Sequence, residues 1–159
     1  MGRYAHQSFL HEMSEEDEEI CRWAIKEVGL EGMEERSFLS LSGGEKQRTY
    51  MAAAFAQKSP IIILDEPTNH LDIAHQIKVM QTLRAMKDVT VLTSVHDINL
   101  AAWFCDEIVV LYEGSIVAIG PPKEALTKEI IRQVFHVDAR VTYSEEDEFL
   151  QVQFLPGSR

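Results

Sequence analysis

The 159-residue chain has little cysteine and few basic side chains. Its two cysteines, Cys21 and Cys105, lie far apart and match no metal-binding spacing. So few cysteines indicate neither a disulfide framework nor a zinc site, and they are typical of a reducing compartment. The chain has 15 Lys and Arg residues against 26 Asp and Glu residues, a net charge of −11. Because nucleic-acid phosphates attract clustered basic side chains, this balance predicts that nucleic acid is not a partner.

Long apolar runs are also lacking. No stretch approaches the roughly 20 apolar residues that a membrane-spanning helix needs. The first twenty residues are charged and polar, unlike a secretory signal peptide. The length predicts one domain with a modest core. We therefore expect any association with a membrane to depend on a partner.

A third absence is the loop that most often holds nucleotide phosphates. Loops of the type Gly-x-x-x-x-Gly-Lys-Ser/Thr surround phosphates with backbone N–H groups and a lysine. The chain has eight glycines, and none of them is followed by lysine. The 159 residues therefore contain no such loop, although three other segments are typical of phosphate and magnesium chemistry.

The first of these segments is residues 41–48, Leu-Ser-Gly-Gly-Glu-Lys-Gln-Arg. It leads into residues 45–57, which are rich in Ala, contain neither Pro nor Gly, and predict a helix. The first N–H groups of a helix lack internal acceptors, so they favour an anion, and Gly43 and Gly44 would let a phosphate approach. Taken alone, Ser42 is more simply interpreted as an ordinary N-cap.

The second segment, residues 61–72, combines an apolar strand with acidic side chains. Residues 61–64 are Ile-Ile-Ile-Leu, which predicts a strand buried on both faces of a parallel sheet. Asp65 and Glu66 follow at the carboxyl end, where α/β sheets bind ligands. Two adjacent acids suit one Mg²⁺-binding carboxylate and one general base. The alternative interpretation is a solvated acidic turn.

The third segment, residues 89–95, predicts another apolar strand, and His96 follows it. A histidine at the end of a strand can donate to a phosphate oxygen or position a water. A structural role would be the commoner interpretation of this histidine alone. Its significance comes from following the other two segments in order.

These segments resemble the ATP-binding cassette (ABC) ATPases, the motor subunits of ABC transporters. Residues 41–48 look like the family signature, residues 61–66 like its Walker B strand, residues 69–72 like its D-loop, and His96 like its switch histidine. The resemblance implies an α/β fold. We expect a partial P-loop NTPase (RecA-like) core with a mostly parallel sheet, preceded by a helical subdomain and ending in a small β-hairpin.

The resemblance also implies a division of the chain. Residues 1–40 would be the helical subdomain, incomplete at its N-terminus, and residues 41–159 the distal half of the ATPase core. Family members begin with a nucleotide-stacking aromatic, a P-loop and a glutamine-bearing loop, and none of these has a counterpart in the sequence. We therefore expect a fragment, a pseudogene-like product or an early-truncated reading frame.

The resemblance assigns roles to the site residues. Asp65 would hold Mg²⁺ through water, Glu66 would polarise the attacking water, and His96 would contact the γ-phosphate region. Two cassettes of the family pack head to tail, so one chain's signature faces an ATP held by a second ATPase subunit. Asp72 would reach across that dimer seam. The signature residues implied to bind this ATP are Ser42, Gly43, Gly44, Glu45 and Gln47.

Several short strings look most like importers of iron–siderophore complexes, haem and cobalamin. They are residues 2–6, 14–17, 69–72, 97–102 and 120–122. The cofactors implied are ATP and Mg²⁺. The partners implied are a second ABC ATPase subunit and membrane permease subunits, which would place the chain on the cytoplasmic face of the cell membrane as a peripheral subunit.

Three functions remain open from the sequence. The first is an ATP-hydrolysing importer subunit. The second is a truncated cassette that binds or regulates without hydrolysis, which the missing P-loop favours for the chain in isolation. The third is an ABC ATPase of DNA repair or translation, which is disfavoured because the sequence has neither a coiled-coil insertion nor a tandem cassette with a basic linker.

Overall fold

The computed structural model describes residues 13–69, 71–145 and 149–157. Residues 2–6, one of the segments that resemble the importers, lie outside these ranges, and so does His70 of the predicted D-loop. Residues up to Ser94 form one compact unit and residues from Val95 form another. Both units contain helices and strands, as expected of an α/β protein. The boundary between residues 40 and 41 stays a prediction.

The described residues of the first unit form three α-helices, each of which begins at a side-chain cap. The caps are Ser14, Ser42 and Asp72, whose side chains accept hydrogen bonds from backbone N–H groups in the first turn. A short 3-10 helix, Phe38–Ser40, precedes the second cap. The helices are α1 (Glu15–Glu27), α2 (Gly43–Ala56) and α3 (Ile73–Ala85).

Two parallel strands complete the first unit. These are β1 (Ile61–Leu64) and β2 (Thr90–Thr93), and α3 is the crossover between them. Ile62 of β1 is buried together with Phe55 of α2 and Met80 of α3. Both strands therefore form where the apolar segments predicted them.

The prediction that β1 is buried on both faces is wrong. Ile61 and Ile63 are 58% and 72% exposed, and Leu92, the partner of Ile63 on β2, is 59% exposed. Alternate side chains of a strand point to opposite faces, and no element of the described residues covers this second face. We call the surface of Ile61, Ile63 and Leu92 the Ile63 face.

The second unit consists of short helices and two antiparallel strand pairs. Glu113 and Gly114 join the first pair with positive φ angles of 48° and 76°, which a tight hairpin turn requires. Its helices are α4 (Ile98–Phe104), α5 (Pro122–Ala125) and α6 (Lys128–Phe135). Its strands are β3 (Ile108–Tyr112), β4 (Ser115–Gly120), β5 (Asp138–Ser144) and β6 (Phe149–Leu155).

The sheets differ in one respect from the mostly parallel arrangement that was expected. Within the described ranges, β1 and β2 are parallel, whereas β3–β4 and β5–β6 are antiparallel pairs. The last pair is the predicted terminal hairpin. Asn99 of α4 is joined to it, since its side chain donates to the Val152 carbonyl (3.1 Å) and accepts from the Val152 N–H (2.8 Å).

Two further observations concern predictions from composition. Neither Cys21 nor Cys105 forms a disulfide in the part of the chain that the structure describes, and both are half-buried. None of the described helices has the length and the apolar character needed to cross a bilayer.

Candidate functional site

The signature segment forms the N-terminus of α2. The Ser42 hydroxyl accepts from the Glu45 N–H (3.4 Å), and the Glu45 carboxylate accepts from the Ser42 N–H (2.7 Å). This reciprocal pair is a capping box. The ordinary N-cap role of Ser42 is thus observed directly.

The cap leaves two backbone donors at this helix end. The N–H groups of Gly43 and Gly44 occupy the first two helical positions, which have no acceptor within a helix, and the described residues supply none. A Cβ atom added at Gly43 would meet no other atom within 4 Å. An anion can therefore approach these N–H groups closely, as the sequence predicts for phosphate. Gln47, half-buried, lies in the next turn of the same helix.

The capping box affects the ionisation of Glu45. Hydrogen bonds from Ser42, first from its side chain and then from its backbone N–H, hold the pKa of Glu45 below its ordinary value of 4.5. The charged form of the Glu45 carboxylate therefore supports the N-terminus of the helix.

The two acidic residues after β1 are joined by Ser94, which follows β2. The Ser94 hydroxyl donates to Asp65 Oδ1 (2.7 Å) and accepts from the Glu66 N–H (2.8 Å). The side chain of Asp65 is exposed, and that of Glu66 is half-buried. Both predicted acids thus lie at the carboxyl ends of the parallel strands, where the sequence places them.

Glu66 is also held from the other side, by Asn69. The Asn69 amide donates to the Glu66 carboxylate, and the Asn69 backbone N–H donates to the Glu66 carbonyl (3.1 Å). Glu66 has a φ angle of +48°, which is uncommon for a residue other than glycine. The buried Pro67 and Thr68 fill the turn between these two residues.

Asp72 of the predicted D-loop caps α3. Its carboxylate accepts from the His75 N–H (3.0 Å) and lies 2.7 Å from the His75 ring nitrogen Nδ1. The hydrogen bond from the His75 backbone, followed by the one from its side chain, lowers the pKa of Asp72 from its ordinary value of 3.8. Its exposed position leaves the carboxylate accessible to another chain.

His96 lies at the start of the second unit and is exposed. The next residue, Asp97, caps α4 by accepting from the N–H groups of Asn99 (2.8 Å) and Leu100 (3.1 Å). His96 therefore occupies the turn between β2 and α4, as predicted.

Sequence reasoning missed the residues that support the two acids. Ser94 and Asn69 make the contacts to Asp65 and Glu66, and His75 makes the contact to Asp72. The strand register explains the position of Ser94. Leu64 of β1 pairs with Thr93 of β2, so the residues that follow them, Asp65 and Ser94, lie side by side.

Asp65 fits one position of a magnesium site. Mg²⁺ usually keeps several waters and binds one or two carboxylates together with substrate phosphates. Oδ1 of Asp65 is occupied by Ser94, while Oδ2 has no hydrogen-bond donor among the described residues. No cluster of three or more His, Cys, Asp or Glu side chains in these residues could hold a metal by itself. The remaining ligands would therefore come from water and nucleotide.

The capping box predicts a pH dependence of stability. Because the pKa of Glu45 is lowered in the folded chain, its charged form stabilises the fold above pH 4.5, and this contribution is lost as the pH falls through the lowered pKa. Replacing Glu45 by Gln should therefore lower the free energy of unfolding more at about pH 7 than at about pH 3. Urea unfolding at both pH values measures the difference.

The matched control for this experiment is Glu31→Gln, which removes the same charge from an exposed turn. Its effect should be small at both pH values. An equal effect of Glu45→Gln at both pH values would show that the carboxylate does not stabilise the helix.

Comparisons with known proteins agree with this geometry. A family model described as ABC transporter matches residues 3–69. The iron(3+)-hydroxamate import ATP-binding protein FhuC of Bacillus subtilis (strain 168) is 40% identical over 143 residues, which are 88% of this chain and 53% of the relative. The chain spans about half the length of the curated relatives it matches.

Solved structures extend the similarity to the fold. An inward-facing transporter assigned to the metal-chelate ABC type superposes with a TM-score of 0.81 and 27% identity over 98% of this chain and 64% of that one. A dimeric ATP-binding cassette in a post-hydrolysis state with ADP and Pi has a TM-score of 0.63 and 32% identity over 72% of this chain and 51% of that one. Because the motifs, the fold and the relatives agree, the chain has the sequence motifs and the fold of the ATP-binding cassette (ABC) transporter ATPases to which it is similar.

Proposed function

We propose that this chain is part of the ATP-hydrolysing subunit of an ABC importer for iron(III)–siderophore complexes, with haem or cobalamin as the alternative cargo. The observation that carries the ATPase assignment is the cluster of Asp65, Glu66 and Ser94 at the ends of two parallel strands. The importer assignment is supported by the similarity to an iron(3+)-hydroxamate import protein. The metal-chelate type of the similar transporter agrees with it.

The proposed chemistry divides the work between the two acids. Asp65 would contribute one carboxylate oxygen to hydrated Mg²⁺, which neutralises charge on the phosphates. Glu66 would orient the water that attacks the γ-phosphate, and His96 would contact that phosphate. ATP and Mg²⁺ are therefore the cofactors that we propose.

The proposed partners follow from the exposed N-terminus of α2. The N–H groups of Gly43 and Gly44 would bind an ATP that a second cassette holds, with Ser42, Glu45 and Gln47 shaping this end of the helix. Asp72 would lie at the seam between the two cassettes. The dimeric form of the similar cassette with ADP and Pi supports this arrangement.

Two further parts of the proposal concern the membrane and the division of the chain. Permease subunits would hold the dimer at the cytoplasmic face of the membrane. Residues 1–40 would form the helical subdomain, and residues 41–159 would form part of the ATPase core.

A second candidate is a cassette part that binds ATP in a dimer without hydrolysing it. The observation that favours it is that none of the eight glycines is followed by lysine. In this case the 159 residues would supply the signature and the D-loop to a partner. The partner would supply the phosphate-binding loop of that shared site.

A chromosomal Glu66→Gln substitution in the source cell tests the first candidate. We expect uptake of radiolabelled ferric hydroxamate to fall at least about 100-fold, because the attacking water loses its orienting carboxylate. The substitution tests the protein at whatever length the cell makes it. Parallel assays with haem and cobalamin identify the cargo.

The control is Glu31→Gln, which should leave uptake unchanged. Normal uptake of all three cargoes by cells with Glu66→Gln would exclude the hydrolytic role and leave the second candidate.

A further inference from the structure

Ser94 is the residue that joins the two acids, and the motif that the sequence shares with the family does not include it. We propose that Ser94 is a positioning residue, which sets the orientation of the Asp65 carboxylate and the backbone of Glu66. The effect of Ser94 on ATP hydrolysis rests on the proposed function. The contacts themselves are properties of this chain.

The register of the parallel strands places Ser94 beside the acids. The pairing of β1 with β2 ends at Leu64 and Thr93, and the Ser94 N–H then donates to the Leu64 carbonyl (3.1 Å). This bond extends the ladder by one step and fixes the Ser94 backbone. The Ser94 side chain is thereby held beside the two residues that follow β1.

The first effect of Ser94 is on Asp65. Its hydroxyl donates to Oδ1 at 2.7 Å, an ordinary length for an O–H···O hydrogen bond. This bond restricts rotation of the carboxylate. It directs Oδ2, which has no donor in the described part of the chain, to serve as the oxygen for a hydrated cation.

The second effect is on Glu66. The Ser94 oxygen accepts from the Glu66 N–H at 2.8 Å, and Glu66 is in the left-handed region with φ of +48°. Residues persist in this region only where surrounding contacts hold them. Asn69 holds the carbonyl and carboxylate of Glu66, so Ser94 supplies the contact on the N–H side.

Only a hydroxyl can make both contacts at this position. It donates one hydrogen bond and accepts another at the same oxygen. Threonine keeps this oxygen, whereas alanine lacks it. The pair of variants Ser94→Thr and Ser94→Ala therefore separates the hydroxyl from the rest of the side chain.

Amide hydrogen exchange of the 159-residue chain tests the contacts directly. We expect Ser94→Ala to speed exchange of the Glu66 amide by at least about tenfold, because the amide loses its acceptor. Ser94→Thr should restore slow exchange. The matched control is Ser59→Ala, which removes a hydroxyl that accepts from the Ile61 N–H (3.3 Å) at the other end of β1. It should leave the Glu66 amide unchanged.

Two results would overturn the proposal. One is unchanged Glu66 exchange in Ser94→Ala, and the other is a uniform rise of exchange across β1 and β2 that Ser94→Thr does not reverse. Uptake in the source cell gives the functional arm: Ser94→Ala should lower it about tenfold or more and Ser94→Thr should restore it. If Glu66→Gln abolishes uptake and Ser94→Ala does not change it, the positioning role is excluded while the proposed function stands.

Discussion

The 159-residue chain, purified by itself, is expected to hydrolyse ATP no faster than its own Glu66→Gln variant. Phosphoryl transfer depends on donors that hold the β- and γ-phosphates while charge develops on them. Asp65 and Glu66 supply a metal ligand and a water-orienting base, and none of the 159 residues supplies a glycine–lysine loop. We expect turnover at least about 1,000-fold below that of a complete cassette, because each missing donor costs about 100-fold or more.

Phosphate release at saturating ATP and Mg²⁺ measures this, with a complete cassette assayed in parallel. Asp65→Asn serves as the second control, since a true metal-dependent activity would be lost in both variants. Hydrolysis that disappears in Glu66→Gln and in Asp65→Asn would show that the chain forms a full site by itself.

A mixed dimer of this chain with a complete cassette is expected to bind one ATP. The N–H groups of Gly43 and Gly44 would cover the ATP that the partner's phosphate loop holds. The second site of the dimer would combine the partner's signature with this chain, which supplies no such loop. We therefore expect one composite site to fill and the other to stay empty.

Nucleotide counting on a dimer made with a hydrolysis-deficient partner measures the ratio. The matched variant is Gly43→Asp. A Cβ atom added at Gly43 meets no other atom within 4 Å, and an acid in the first turn suits the helix, so the variant should fold. Its charge would repel the phosphates and abolish ATP-dependent association. Two ATP molecules per dimer, or no association in ATP, would contradict the prediction.

Local rules predict most of the elements in this chain. Ser14, Ser42 and Asp72 begin helices because their oxygens satisfy the first N–H groups. The run of apolar residues before Asp65 forms β1 and delivers the acids to the expected edge. These features depend on neighbours within a few residues, which a sequence shows directly.

Features that depend on distant residues were not predictable in the same way. The sequence places Ser94 near the end of a strand, but the strand register is needed to bring it to Asp65. Another example is the break between α5 and α6, where Leu126 has a φ of −104° and a ψ of 60° and Thr127 caps the next helix. The apolar periodicity of the sequence continues across this break, so the periodicity alone does not reveal where one helix ends and the next begins.

The Ile63 face has a consequence for the life of this chain inside a cell. Ile61, Ile63 and Leu92 form an apolar strand surface that faces solvent, and no other strand of the described ranges pairs with the edges beside it. Chaperones and proteases recognise exposed apolar segments of this kind. In a newly made chain they therefore compete for this surface with whatever covers it later. Whatever covers this surface in the cell, a further segment of the same protein or another chain, should therefore protect the polypeptide from degradation.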